Sequence, residues 1–201
     1  VAPDSGPLDE PVASPGGYIL DSEPGLFRNV LVFDFKSLYP SIIRTFHVDP
    51  LALVIGLQER DAIEGFEGGR FSRTQYILPD VIATLWSARD RAKSDHNKVL
   101  SQAIKIIMNS FYGVLGTLGC RFFDHRLVSS ITRRGHQIIL DSKQWLENKG
   151  FEVIYGDTDS VFVLLRNVAD SEVAMLGNRL AADLNRWWHD RIEKQHGVHS
   201  Y

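Results

Sequence analysis

Two aspartates stand two residues apart in the stretch YGDTDS, Tyr155 to Ser160, between the apolar segments FEVI and VFVLL. At contact distance such charges repel by about 1 kcal/mol in water and several-fold more in a less polar surrounding. A third carboxylate, Asp34, lies at the end of the apolar run NVLVFDF, Asn29 to Phe35. If the two segments pair in one sheet, Asp34, Asp157 and Asp159 gather at its edge as candidate catalytic and metal-binding residues. Ligands that are all oxygen, with no His or Cys, suit Mg²⁺, which takes a couple of carboxylates plus substrate phosphates. Two such ions about 3.5–4 Å apart can activate a hydroxyl and stabilise a leaving phosphate oxygen. Taken alone, Asp157 and Thr158 read equally well as turn formers. Asp34, on a run with no turn to explain it, favours the metal reading.

A second constellation is cationic. Leu85, Arg89 and Lys93 recur at i, i+4, i+8, so one helical stripe carries two cations. Further on, Lys105, Asn109 and Tyr112 share a face. On facing helices these groups could grip a triphosphate, Arg by bidentate contact and Lys as a point charge. A solvated face is the plainer reading of Arg89 and Lys93 in isolation; Asn109 and Tyr112 fit it less well. Between the two constellations lies SLYPSI, Ser37 to Ile42. Backbone amides at such a turn can hold phosphate oxygens, and a Tyr39 ring could lie beneath a sugar. The alternative is a core tyrosine with its hydroxyl satisfied. Phe122, Phe123, Trp187 and Trp188 are assigned to packing rather than to base stacking.

These residues need elements to position them. Asn29 to Phe35 has the pattern of a buried strand, and FEVIYGD with SVFVLL that of a β-hairpin. Helical spacing runs from Leu78 to Lys93, with Pro79 in the first turn. It resumes from Leu100 to Tyr112, where Leu100, Ala103, Ile104, Ile107, Met108 and Phe111 form the expected apolar stripe. The short connection makes this pair an antiparallel helical hairpin. Two more helices are expected over Val128–Asn148 and Ser171–Lys194, while His47 to Arg73 reads as irregular. The fold class is α+β, an antiparallel sheet with packed helices and an inserted helical hairpin.

The sequence has 201 residues, 22 basic and 25 acidic side chains and a single cysteine, enough for one medium domain or two small lobes. Cys120 alone excludes a disulfide framework and a cysteine-built zinc site and fits a reducing compartment. No apolar run approaches the roughly 18 residues of a membrane span. The net charge of -3 gives no sign of nucleic acid, although a basic stripe beside acidic sites cancels in such a sum. Residues 1–17, rich in Pro, Gly and small polar residues, are expected to be a linker or arm in a longer chain.

Together the motifs resemble those of family B DNA polymerases, in their bacterial subgroup. DFKSLYPSI (Asp34 to Ile42), KIIMNSFYG (Lys105 to Gly113) and YGDTDS are similar to the three polymerase motifs, in the same order. Leu85, Arg89 and Lys93 meet the fingers pattern. The resemblance implies that Asp34 and Asp159 hold two Mg²⁺ ions, for which Mn²⁺ can substitute, with Asp157 in support. It implies that backbone groups at Ser37 and Leu38 meet the dNTP triphosphate, and that Tyr39 is a steric gate under the deoxyribose. Arg89, Lys93, Lys105 and Asn109 would hold the phosphates, Tyr112 and Gly113 would border the base pair, and Thr158 would lie near the primer terminus. The implied domains are an arm over 1–17, a palm over 18–65 and 119–201, and fingers over 66–118. The implied activity is two-metal, DNA-directed DNA synthesis on primer–template DNA in the bacterial cytoplasm, at the nucleoid, in repair or replication restart. A sliding clamp would be reached through regions outside this chain. An exonuclease domain and a Lys-rich thumb are also expected outside it, so the piece alone should be weak or inactive. The sequence departs from many relatives at Ser14, where they carry Tyr before a Gly-Gly pair, and at His136, where they carry Arg. The rival reading is a non-catalytic nucleic-acid-binding or scaffold fragment on the same fold. A cyclase or reverse transcriptase shares the acids but not the fingers pattern.

Overall fold

The computed structural model describes residues 16–22, 24–166 and 168–201. The expected arm over 1–17 therefore lies outside the described residues up to position 15, as does Ser14. In chain order the elements are β1 (Val30–Asp34), α1 (Leu38–Thr45), α2 (Pro50–Gly56), β2 (Ile63–Glu64), β3 (Arg70–Phe71), α3 (Leu78–Ser94), α4 (Lys98–Leu115), α5 (His125–Asn148), β4 (Glu152–Asp157), β5 (Ser160–Leu164) and α6 (Asp170–His196). The α+β class follows from this mixture of helices and antiparallel pairs. The described chain divides into two compact units: Tyr39–Arg133 with Tyr201, and Gly16–Leu38 with Arg134–Ser200.

In the first unit Ile42 and Ile43 of α1 are buried, as are Phe46, Val48, Leu53, Phe71, Leu127 and Ile131. The segment from His47 to Arg73, expected to be irregular, contains α2 and the small hairpin β2–β3. Asp49 organises it. This carboxylate is 2% exposed, and its Oδ1 accepts from the Ala52 amide at 2.8 Å, capping α2. Its Oδ2 accepts from the Leu78 amide at 2.8 Å and the Ile77 amide at 3.3 Å, so the same side chain caps α3. Orphan N–H groups at two helix starts are thus satisfied by one residue. At the start of α5, Asp124 takes the Arg126 guanidinium at 2.9 and 2.6 Å. Burial pushes its carboxyl up, but the Arg126 bonds and charge outweigh burial and hold it below the ordinary range.

α3 and α4 are joined by Asp95, His96 and Asn97 and form the helical hairpin. The apolar stripe expected on α4 is corrected in part. Ile104, Met108 and Leu115 are buried, whereas Leu100 and Ile107 are 47% and 48% exposed. Periodicity places these residues on one side of the helix; the fold covers only part of that side.

The second unit holds a three-stranded antiparallel sheet in the order β1-β5-β4. Val161 and Val163 of β5 point into a core with Leu20, Ile139, Leu146 and Leu165, each such burial contributing roughly 1.5–3 kcal/mol. Trp188 donates its indole N–H to Ser142 Oγ at 2.8 Å and Arg191 pairs with Asp141 at 2.7 Å, fastening α6 to α5. The expectation that β1 is a buried strand is corrected: it is an edge strand, with Val32 54% exposed and Asp34 exposed. Among the described residues, no helix is long and apolar enough to cross a membrane.

Candidate active site

The acids are placed by strand register. Asp34 of β1 and Asp157 of β4 both pair with Ser160 of β5, one from each side. Directly opposed residues on antiparallel strands share a face. Asp34, Ser160 and Asp157 therefore form a row on the face away from the core. One residue further, the Phe35 amide donates to the Asp159 carbonyl at 2.7 Å, tying the turn to β1.

This arrangement depends on an irregularity in β4. Val153 pairs with Val163, a core position, and the register shifts by one between Val153 and Tyr155. Side chains alternate along a strand, so an unbroken register would turn Asp157, four residues on, to the core face. The bulge at Ile154 turns it to the face of Asp34. Gly156 then faces inwards, where an added Cβ would lie 2.6 Å from Leu20 Cδ1.

The tip itself is tightly wound. Thr158 has φ +47°, a left-handed conformation unfavourable for a β-branched residue. Its Oγ1 donates to Asp157 Oδ1 at 2.9 Å, its amide donates to the Tyr18 carbonyl at 2.8 Å, and the Asp159 amide reaches the Asp157 carbonyl at 2.5 Å. Beside the other end of the row, Asp34 lines a cavity of about 230 Å³ with Val32, Phe35, Ala181, Leu184 and Asn185.

The fit of a metal is a matter of donor chemistry. Among the described residues, no group of three or more His, Cys, Asp or Glu is set to hold an ion by itself. The row offers oxygen donors only, the Asp34 and Asp157 carboxylates and the Ser160 hydroxyl, with Asp34 exposed and the other two half-buried. Such a site suits an ion that keeps waters and takes substrate phosphate oxygens, as Mg²⁺ does, better than a resident ion in an all-protein cage.

The other expected site residues divide between the units. Ser37, with φ +51°, sits in the turn before α1 and Leu38 is the buried first residue of that helix. In the first unit the Tyr39 and Tyr112 rings pack with centroids 4.6 Å apart, and burial raises the Tyr112 phenol pKa. Arg89 is half-buried on α3; Lys93 on α3 and Lys105 and Asn109 on α4 are exposed. Lys93 Nζ lies 3.8 Å from Asp90 Oδ1, an exposed pair of small energetic weight. Gly113 is exposed in the last turns of α4, with no heavy atom within 4 Å of an added Cβ. The structure thus gathers the acids with Thr158 in one unit and Tyr39 with Tyr112 in the other. Sequence reasoning missed Asp49, Ser160 and the Ile154 bulge. Asp49-Pro50 was a readable N-cap signal; the other two require the strand pairing.

A model of DNA polymerase family B matches residues 9–195. The chain is 54% identical over 199 residues to DNA polymerase II of Escherichia coli, covering 97% of this chain and 25% of that protein. It is 31% identical over 191 residues to the DNA polymerase alpha catalytic subunit of Mus musculus, covering 85% of this chain and 13% of that one. To the DNA polymerase of Thermococcus gorgonarius it is 34% identical over 175 residues, covering 78% and 22%. The chain spans a quarter or less of the length of these relatives.

Proposed function

The chain belongs to family B of the DNA polymerases, and on that premise we propose that it carries the nucleotidyl-transfer residues of a DNA-directed DNA polymerase. The observation that supports this reading most is the row Asp34–Ser160–Asp157, with Asp159 tied in through the Phe35 amide. Asp34 and Asp159 are the carboxylates that would hold two Mg²⁺ ions, and Asp157 supports them. When bound, the ions supply activation of the primer 3′-hydroxyl and charge neutralisation at the departing pyrophosphate.

The protein's own groups position and neutralise. The turn at Ser37 and Leu38 offers backbone N–H groups to the triphosphate of a dNTP. Arg89, Lys93, Lys105 and Asn109 bind its phosphates, which spread negative charge during transfer. Tyr39, braced by Tyr112, excludes a 2′-hydroxyl. Gly113 and Tyr112 border the nascent base pair, and Thr158 meets the primer end. In this reading the sheet unit contributes the palm and the α3–α4 hairpin the fingers. Repair or replication restart is the proposed setting. The 201 residues alone extend primers weakly, since much of the affinity for duplex comes from phosphate contacts made elsewhere.

Primer extension by the full-length protein tests the reading. Extension should require Mg²⁺ or Mn²⁺ and stop on chelation; extension that persists in excess chelator would overturn the metal assignment.

A further inference from the structure

Two helix starts meet on one buried carboxylate. Asp49, in the link between α1 and α2, accepts from the Ala52 amide of α2 through Oδ1 and from the Ile77 and Leu78 amides at the start of α3 through Oδ2. Negative charge is favourable at both N-termini. α3 has no such cap of its own: its N-cap residue, Ile77, makes no side-chain cap bond, and Pro79 brings no N–H. The preceding residue is held from the same link. The His47 and Tyr76 rings stand 4.0 Å apart, and His47 Nδ1 donates to the Ser72 carbonyl at 3.2 Å. One side of the first turns of α3 borders a cavity of about 400 Å³ lined by Tyr76, Ile77, Asp80, Val81, Thr84 and Leu85, with Ile77 59% exposed. Packing leaves that side open, so the bonds to Asp49 hold the start of the helix.

The consequence lies further along α3. Arg89 and Lys93 stand about 16 and 22 Å along the helix axis from Leu78. A tilt of about 4° at the start would therefore move them by about 1–1.5 Å, a displacement on the scale that costs up to about a hundred-fold in a positioned site. We propose that Asp49 is a positioning residue that sets the angle of α3, and through it the placement of Arg89 and Lys93 on the nucleotide's phosphates. This rests on the reading of Arg89 and Lys93 as phosphate-binding groups. Asp49, α2, α3 and α4 lie in one unit of the chain, whereas Asp34, Asp157 and Asp159 lie in the other. Binding of primer–template DNA is therefore expected to stay as it is.

The test uses the full-length protein and separates the two caps. Asp49→Ser keeps one side-chain oxygen for the Ala52 amide, a good N-cap for α2, and gives up the bonds to Ile77 and Leu78. Steady-state extension gives separate KM values for dNTP and for primer–template DNA. Asp49→Ser should raise the dNTP KM about ten-fold and leave the primer–template KM within about two-fold. A merely destabilised protein loses active molecules, which lowers kcat and leaves both KM values alone. The second arm is a double-mutant cycle with Arg89→Ala. Sites this far apart should act additively unless one works through the other. The double variant should therefore fall well short of the product of the two single effects on the dNTP KM. An unchanged dNTP KM in Asp49→Ser, a fall in kcat alone, or full additivity with Arg89→Ala would overturn the proposal. If Asp49→Ser fails to fold, Asp49→Asn decides by the same criteria. Arg89→Ala also serves as the reference. A normal dNTP KM there sinks the phosphate-binding reading itself, whereas a raised one beside a normal dNTP KM in Asp49→Ser sinks only the positioning role.

Discussion

Asp34 and Asp157 stand in register on opposite sides of Ser160, and they share a face because β4 slips by one residue at Ile154. The two carboxylates come from segments 123 residues apart in sequence, 34 and 157. Their meeting is fixed by two antiparallel ladders rather than by a flexible loop. A site built on strands holds its ligands with less freedom than one built on loops.

The Tyr39–Tyr112 pair predicts a selective change in sugar discrimination. With the ring braced at a centroid distance of 4.6 Å, Tyr39→Ala should raise ribonucleotide incorporation by roughly ten-fold or more, about 1.4 kcal/mol of steric discrimination. Tyr39→Phe should leave it unchanged. Competition between dNTP and rNTP in primer extension reads both; equal discrimination in Tyr39→Ala and the parent would contradict the gate.

Asp49 predicts coupled loosening of two helices. Removing a side chain that caps both α2 and α3 should cost about 2–4 kcal/mol, from two caps and buried amides left unpaired. In Asp49→Ala, amide exchange over residues 50–56 and 78–94 should speed up together, by about thirty-fold or more. Asp49→Asn keeps one acceptor oxygen and should lose about half as much. Unchanged protection in α3 would show that the cap on that helix is dispensable.

The contrast between α4 and the Asp49 hub shows what was legible in the sequence. Periodicity gave α3, α4 and the β4–β5 hairpin because each is long or strongly patterned. It did not say which part of the α4 stripe would be covered, since Leu100 and Ile107 share a side with the buried Ile104 yet stay about half exposed. The motif acids were legible as a set, yet the face they share was not: alternation alone would have turned Asp157 inwards, and the bulge exists only in the pairing. Asp49 reaches amides 28 and 29 residues away at Ile77 and Leu78, a contact that no local pattern encodes.

His47 predicts a loss of stability on mild acidification. Burial lowers its pKa below the ordinary 6.5, even though its ring bonds the Ser72 carbonyl and lies near Asp80 and Asp49. The folded state then binds fewer protons than the unfolded one. Stability is therefore full above the unfolded pKa and falls as pH drops below about 6.5 towards the lower folded value. His47→Asn retains an N–H donor, tolerates the positive φ of +52° and does not titrate. Thermal melts between about pH 7.5 and pH 5.5 should show a smaller decline in that variant than in the parent. Equal declines would assign the pH dependence to other groups.

The central claim is that Asp34 and Asp159 are the metal-holding carboxylates and Asp157 their support. Single-turnover primer extension by the full-length protein, with Mg²⁺ and matched thermal melts, tests it most directly. Asp34→Asn and Asp159→Asn should each lose about three orders of magnitude in rate, roughly 4 kcal/mol of charge stabilisation, and Asp157→Asn distinctly less. Near-parent rates in Asp159→Asn, or a larger loss in Asp157→Asn than in the other two, would contradict the account.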